Sequence, residues 1–388
     1  MHLLRIDFRT RHRRGATLVL AAILMFVLTA FLAFSIDTGY LAQTRAELRR
    51  TADAAALAAG WELYEQLAAG GTLSSAESAM RLAAYEMAQL NPVCASPMML
   101  DNTGDIQIGY IDYPRESTIN MDDTRPYYAV EVTARRTSNR NGQVPFFFGR
   151  IFGQSGRNME VTAMAVLARQ VSGFQLPEGS SATLNILPFA LDEYTWDNML
   201  ACTMTGCASA PSDDFAWDPA SQTVTPGGDG VYEVNLYPQG TGSPGNRGTV
   251  DIGGANNSTN DIARQIVHGI SSQDLIDLGK PLILDPGGTM TLNGDTGISA
   301  GVKDELASII GQTRIIPIFS TVTGNGNNAE YTIVRWVGVR IMYVKLTGPM
   351  SKKKVLVQPA YVLSPYAIRA TAGGDWSDYV LTPVRLAK

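Results

Sequence analysis

The sequence predicts an α+β protein carried on a membrane-spanning segment. An N-terminal transmembrane helix extends into a long helix packed on a small antiparallel sheet, and a second, β-rich mixed domain follows. Three observations predict this. Ala16 to Ile36 is an apolar run of 21 residues without a charge, Pro or Gly. Helix-forming sequence resumes at Leu41 and holds to Ala69. From Asp105 onward period-two patterning takes over.

The apolar run comes first. A helix rises ~1.5 Å per residue, so a run of this length spans the ~30 Å hydrocarbon core of a bilayer. Arg5, Arg9, Arg11, Arg13 and Arg14 precede it. Such a cluster stays on the cytoplasmic side of a first span, which puts everything after Asp37 outside. A cleaved signal peptide has a shorter apolar core and a small-x-small cleavage site. Here the run ends in Phe34-Ser35-Ile36-Asp37 and helical sequence follows directly, so an uncleaved anchor is expected.

Composition narrows the rest. The chain has 388 residues and a net charge of −5; the first 36 residues carry +4, leaving −9 beyond them. An acidic exterior without a long basic stretch argues against nucleic-acid binding. Cys202 and Cys207 enclose a Gly in a polar loop. They form either a local disulfide, which an oxidising compartment favours, or two free thiols. Cys94 is left over. His occurs only at positions 2, 12 and 268, so no His cluster can bind a metal.

Leu41–Ala69 is rich in Ala, Leu, Glu, Arg and Gln, all strong helix formers. Joined to the span it makes a helix ~80 Å long. Its small residues Ala52, Ala55, Ala56 and Ala59 let a partner helix or sheet approach closely. Gly70-Gly71 ends it. Ser74 with Glu77 reads as a capping box for a second helix, stopped near Leu90 by Asn91-Pro92. Asp105–Asp112, Tyr127–Arg136 and Asn158–Ala168 read as strands, and Val144–Phe152 as one or two helical turns. A Gly/Pro/Ser cluster at 172–181 closes this part. The expected divisions are 1–15 as a basic cytoplasmic tail, 16–36 as the span, 37–172 as the first extracytoplasmic domain and 182–388 as the second.

In the second domain Asn260–Ile270 reads as a helix behind a Thr259/Asn260 cap, with Ile262, Ile266 and Val267 at helical spacing. Ser299–Ile310 repeats that logic, with Val302, Leu306, Ile309 and Ile310 inward and Gly311 closing it. Val231–Leu236 and Thr249–Ile252 are weak strands. Arg314–Val322, Tyr331–Val339, Arg340–Leu346 and Lys353–Val362 are stronger ones, with a turn at Gly324–Asn327.

Chemical motifs are sparse. Asp37-Thr38-Gly39 and Asp295-Thr296-Gly297 superficially suggest an aspartic protease, but Tyr40 and Ile298 follow where Ser or Thr is needed. Asp251–Asp261 and Asp285–Asp295 lack the spacing and closing Glu of a calcium loop, and read as turns and caps. His268 reads as a surface residue. Lys352-Lys353-Lys354 reads as a solvated guard of an edge strand. No cofactor, metal or small-molecule substrate is expected, and the chain is not expected to be an enzyme.

Arg14-Gly15-Ala16, the apolar run, Asp37-Thr38-Gly39-Tyr40 and Gln43 to Ala59 (QTRAELRRTADAAALAA) together resemble the N-terminal signature of Tad (tight adherence, Flp-type) pilus assembly proteins of the TadE/TadG-like group. Val144–Ala168, with Pro145, Phe146–Phe148, Gly149 and Gly153, is similar to the end of that family's first extracytoplasmic domain. The resemblance implies an inner-membrane protein facing the periplasm that helps assemble or anchor thin adhesive pili. Its partners would be other pilus-assembly proteins, the membrane and its own copies. Many family members carry a von Willebrand A-type domain, but the Asp-x-Ser-x-Ser pattern of its metal site is absent here.

Pilins are the close competitor. Their peptidase cuts after a Gly that follows basic residues, and Gly15 fits. They carry Glu five residues after the cut, where this chain has Leu20. An ionisable group within hydrocarbon is costly and marks function, so its absence favours a permanent anchor over a minor pilin built into the fibre. The residues singled out are Gly15 and Ala16 for processing or insertion, Asp37 and Tyr40 at the membrane interface, and Thr44, Glu47, Arg50 and Asp53 for helix contacts.

Overall fold

The computed structural model describes residues 14–114, 116, 118–206, 211–243, 245, 247–254, 258–294, 300–370 and 377–387, with side chains from Thr17 onward. Helix α1 runs Arg14–Ala68 without interruption, 55 residues. Nothing in it stops a helix until Gly70, which takes a φ of 94°. The stretch Leu18–Ile36 exposes Leu, Ile, Val and Phe on every side. Its mean hydropathy is 2.7, and none of the most apolar stretch is buried. Among the described residues this is the one helix long and apolar enough to cross a membrane. A helix apolar all round is stable where lipid surrounds it.

Helix α2 spans Leu73–Leu90. Its cap lies two residues before the expected one. Thr72 Oγ1 accepts the Ser75 N–H at 3.2 Å, and Ser75 Oγ accepts the Thr72 N–H at 2.8 Å. Ser74 is not the cap, and Glu77 instead pairs with Arg81 at 2.6 Å. The reciprocal box needs only two short acceptors three residues apart, and Thr72/Ser75 provide it closer to Gly71. Leu73, Ala76, Met80, Ala84 and Ala88 are buried, one stripe of the helix.

The chain forms two compact units that do not follow chain order. One comprises Met1–Ala55, Tyr85–Ile106 and Val132–Ala163; the other Ala56–Ala84, Gln107–Glu131 and Met164–Lys388. Strands β1 (Ile106–Ile111) and β2 (Tyr127–Arg136) match the sequence reading, as does Met159–Ala168. With Arg385–Leu386 they make a four-stranded sheet in the order β1, β2, Met159–Ala168, Arg385–Leu386. Val144–Phe152 is less helical than expected: a two-residue strand, Val144–Pro145, then a 3-10 turn over Gly149–Phe152.

In the first unit the polar side chains are knitted together. Asp105 has a fully buried carboxylate that takes Arg135 at 2.7 Å and Arg140 at 2.6 Å. Arg135 also reaches Glu160 at 2.6 Å, and Arg140 reaches Asp101 at 3.1 Å.

The second unit is built on a seven-stranded sheet. Its main order is Val234–Tyr237, Lys354–Pro359, Glu330–Lys345, Thr313–Thr323, Leu191–Asp192; Met290–Asn293 and Ser377–Asp378 also pair with Glu330–Lys345. Thr313–Thr323 and Glu330–Lys345 form an antiparallel hairpin in register from Thr313↔Arg340 to Thr323↔Glu330. The two strands expected at 331–339 and 340–346 are one, because no turn residue separates Val339 from Arg340. Successive side chains go to opposite faces. Ile316, Ile318, Val337, Val339 and Ile341 join one apolar cluster with Trp196, Ile262, Ile266 and Leu306. Ile315, Phe319, Tyr331, Ile333 and Trp336 join another with Phe174 and Val380. Both faces of the sheet are therefore covered.

Several details differ from the sequence reading. The helix Thr259–His268 is capped by Ser258, whose hydroxyl forms a box with Asp261, rather than by Thr259 or Asn260. It buries Ile262, Gln265 and Ile266, while Val267 is exposed. The helix at Lys303–Ser308 is shorter than expected, and Ile310 is exposed because the helix has ended before it. Helices Glu193–Thr205 and Ser272–Leu278 had no sequence expectation. The basic run 352–354 enters an inner strand rather than an edge, since Lys354–Pro359 is paired on both sides.

Candidate interaction helix

Asp37, Tyr40, Thr44, Glu47 and Thr51 recur at three- and four-residue steps, so they line one face of α1. The structure brings all five to two other pieces of the chain. The Asp37 carboxylate accepts the N–H groups of Phe147 at 2.8 Å, Phe148 at 3.2 Å and Gly149 at 2.8 Å. Burial works against its charge, but these three amides outweigh that and hold its pKa below the usual carboxylate value. The Tyr40 ring meets Phe147 edge-on, centroids 5.1 Å apart.

The second piece is the turn Val93–Ser96. Cys94 and Ala95 both adopt left-handed backbone, φ 53° and 57°, and Val93 and Ser96 exchange backbone hydrogen bonds of 2.9 and 3.2 Å. Two consecutive non-Gly residues in that region carry strain, which persists where the surroundings fix them. Here α1 does so. Glu47 Oε2 accepts the Cys94 N–H at 2.8 Å. Buried Thr44 sets its hydroxyl 3.4 Å from Cys94 Sγ. Thr51 Oγ1 reaches the Asn91 carbonyl at 2.8 Å, and Arg50 donates to Pro92 O at 3.2 Å. The Tyr40 hydroxyl is pushed up to about 12, first by its contact with Cys94, then by burial and the charges of Cys94 and Glu47.

Asp53 stands apart. It pairs with Arg49 at 3.0 Å along the helix, an ordinary exposed i,i+4 contact. Gly15 and Ala16 lie in the first turns of α1. The sequence reading missed Thr51, the Cys94 turn and the Phe147–Gly149 amides. The repeat of Thr44 at Thr51 could have pointed to the first; nothing local marks backbone donors over a hundred residues away. Ala52, Ala55, Ala56 and Ala59 are fully buried within the chain. The face left to solvent carries Ala42, Gln43, Arg45, Ala46, Arg49 and Arg50. Cys94 is a free thiol and Cys202 is disulfide-bonded, while Cys207 and Asp295–Gly297 lie outside the described residues. His268 ends its helix, exposed.

The second unit holds a groove of about 1510 Å³ whose walls include Arg125, Arg169, Arg369, Arg385, Tyr361 and Tyr379. Arg125 is neutralised by Asp112 at 2.9 Å and Glu116 at 3.1 Å. Arg169 lies over the Tyr110 and Tyr128 rings, 5.3 and 4.8 Å from their centroids. Arg369 donates to Tyr127 Oη at 2.6 Å. Burial and then the nearby Arg369 charge lower the pKa of Arg385. Asp112, Asp123 and Asp378 lie in the same walls, so the lining carries both signs of charge.

Residues 15–62 match the family model described as Flp pilus-assembly TadE/G-like, and residues 47–165 match the one described as Tad-like Flp pilus-assembly. Together the two matches span residues 15–165, and this region is similar to Tad-type Flp pilus-assembly sequences. No curated protein and no solved structure matches the chain significantly.

Proposed function

We propose that this chain is a membrane-anchored component of a Tad/Flp-type pilus assembly system that works through protein–protein contacts rather than catalysis. The observation that carries this reading is the Tad match over 15–165 on a chain whose first helix is apolar and exposed over the length of a bilayer. The Arg cluster before the span supports a cytoplasmic N-terminus, an inner-membrane location and an extracytoplasmic bulk. Partners are other assembly proteins and copies of the chain itself. Asp37, Thr44 and Glu47 are already engaged inside the chain, so they preorganise the helix. The surface open to a partner is the Arg45/Arg49/Arg50 side. Ala52 and Ala55 are buried, so Leu there disturbs the fold before it disturbs a partner.

The test is the N-terminal residue of the mature protein in membrane fractions, with and without the host's prepilin peptidase. A chain that keeps the Arg cluster in both strains is the anchor proposed. A chain that starts at Ala16 only when the peptidase is present is a minor pilin, and the anchor reading falls. For the contact surface, Arg45→Glu with Arg49→Glu is expected to reduce pilus assembly while the protein stays folded at normal level. Unchanged assembly removes that face from the account.

A further inference from the structure

We propose that the segment Phe147–Phe152 is a second membrane contact, a hook that lies in the lipid headgroup region beside the exit of α1. This rests on reading Ala16–Ile36 as a membrane span. The first observation is position. Asp37 is the residue immediately after the apolar run, and its carboxylate takes the N–H groups of Phe147, Phe148 and Gly149. The Phe147 ring packs on Tyr40 one helical turn further on. The hook is thereby tied to α1 at the level where the hydrocarbon ends.

The second observation is what the hook displays. Phe147, Ile151 and Phe152 are 59, 78 and 74% exposed. Three large apolar side chains within six residues are costly in water, and nothing among the described residues covers them. They continue the exposed apolar surface of α1 just below, which includes Phe31, Phe34 and Ile36. Arg150 lies between them, exposed and without an ion pair among the described residues. That alternation of apolar anchors with a cation suits lipid headgroups.

The third observation is the backbone. A segment entering a low-dielectric layer must satisfy its own polar groups. Besides the three amides held by Asp37, Ile151 N–H bonds Phe148 O at 3.0 Å, Gly153 N–H bonds Arg150 O at 3.1 Å, and Gln154 N–H bonds Gly149 O at 3.0 Å. Gly153 closes the turn with φ 79°, which suits Gly. A helix held at one level by interfacial anchors has its tilt and rotation fixed. The hook would thus set the direction in which α1 leaves the membrane.

Nitroxide labels at Ile151→Cys, Phe152→Cys and Leu24→Cys, each in the full chain carrying Cys94→Ser, test this in phosphatidylcholine/phosphatidylglycerol vesicles. Collision with oxygen and with a water-soluble nickel chelate is compared. The expected result is that labels at 151 and 152 collide more with oxygen and less with nickel than in detergent-free buffer standards, at a depth shallower than Leu24. Asp37→Asn is then expected to loosen both hook labels and leave Leu24 unchanged. Water-like collision at 151 and 152 with a buried Leu24 overturns the hook and leaves the anchor standing. Shielding from both reagents shows packing against a second copy and also overturns it. A water-like Leu24 removes the anchor and the hook together.

Discussion

The first unit and the second are held by different physics. Around α1 the decisive contacts are side-chain oxygens aimed at backbone: Asp37 on the 147–149 amides, Glu47 on the Cys94 amide, Thr51 on the Asn91 carbonyl. The second unit rests on two apolar clusters on either face of one sheet. Polar contacts of the first kind specify one register and one turn, and a single atom change can undo them. Apolar clusters of the second kind accept many residue combinations of similar volume. The family matches over 15–165 include the face of α1 that carries Asp37, Thr44, Glu47 and Thr51.

The largest expected effect is in the sheet core. Trp336 is fully buried and meets Phe174 edge-on, centroids 5.3 Å apart. Trp336→Ala should cost about 3–5 kcal/mol in urea unfolding of the purified chain. Its indole N–H has no hydrogen-bond partner among the described residues, so Trp336→Phe should cost less than about 1.5 kcal/mol. If Phe costs as much as Ala, the second unit is not the tolerant core described.

Glu233 gives the next effect, and it depends on pH. Burial, more than the Asp213 and Asp214 charges, pushes it up to about 7, against the pull of the Asp214 and Phe215 amides at 2.8 and 3.1 Å. An acid whose folded pKa is raised binds its proton more tightly when folded. Its stabilising contribution is thus full below about pH 4.5 and lost as pH rises to about 7. The loss is of order 1–3 kcal/mol. Urea midpoints across that window should fall, and Glu233→Gln should flatten the slope. A rising midpoint that Glu233→Gln leaves unchanged would sink this assignment.

Legibility in the sequence followed the same divide. The span, α1, β1, β2 and the strand before Ala168 were readable because apolar length and strict periodicity are local signals. So was the hairpin around Gly324–Asn327, where turn residues interrupt two apolar runs. Cap positions slipped because Thr72, Ser74 and Ser75, or Ser258 and Thr259, offer nearly equivalent oxygens, and tertiary position chooses among them. The helix Glu193–Thr205 was hidden by mixed composition; its packing through Trp196, Met199 and Cys202 decides it. For the interaction face, residue types marked Asp37, Thr44 and Glu47. Their partners could not be read, because backbone amides have no sequence identity.

Thr51 tests the polar side of the comparison at a single atom. Its buried hydroxyl lies 2.8 Å from Asn91 O and 2.9 Å from Glu47 O. Thr51→Val keeps the volume and leaves the Asn91 carbonyl without that donor, at a cost of about 1–2 kcal/mol. The turn should loosen with it, read as faster reaction of the Cys94 thiol with a small disulfide reagent. A loss of stability without faster thiol reaction would show that Thr51 acts on α1 alone.

The smallest effect has the opposite sign. Ala95 is exposed and left-handed, φ 57°. Left-handed backbone costs a non-Gly residue about 1–2 kcal/mol, while Gly gives back about 0.5–1 kcal/mol of that in unfolded-state entropy. Ala95→Gly should therefore raise stability by about 0.5–1 kcal/mol, seen as a higher thermal midpoint. The neighbouring Cys94 amide stays bound to Glu47 in that variant, so a second change separates strain from restraint. In the Glu47→Gln background, which weakens the acceptor on that amide, the gain from Ala95→Gly should shrink, because a less restrained turn can relax and leaves less strain for Gly to relieve. Equal gains in both backgrounds would mean that Glu47 does not hold the turn, and the contact of α1 with this stretch would rest on Thr44 at Cys94 and on Thr51 and Arg50 at Asn91 and Pro92.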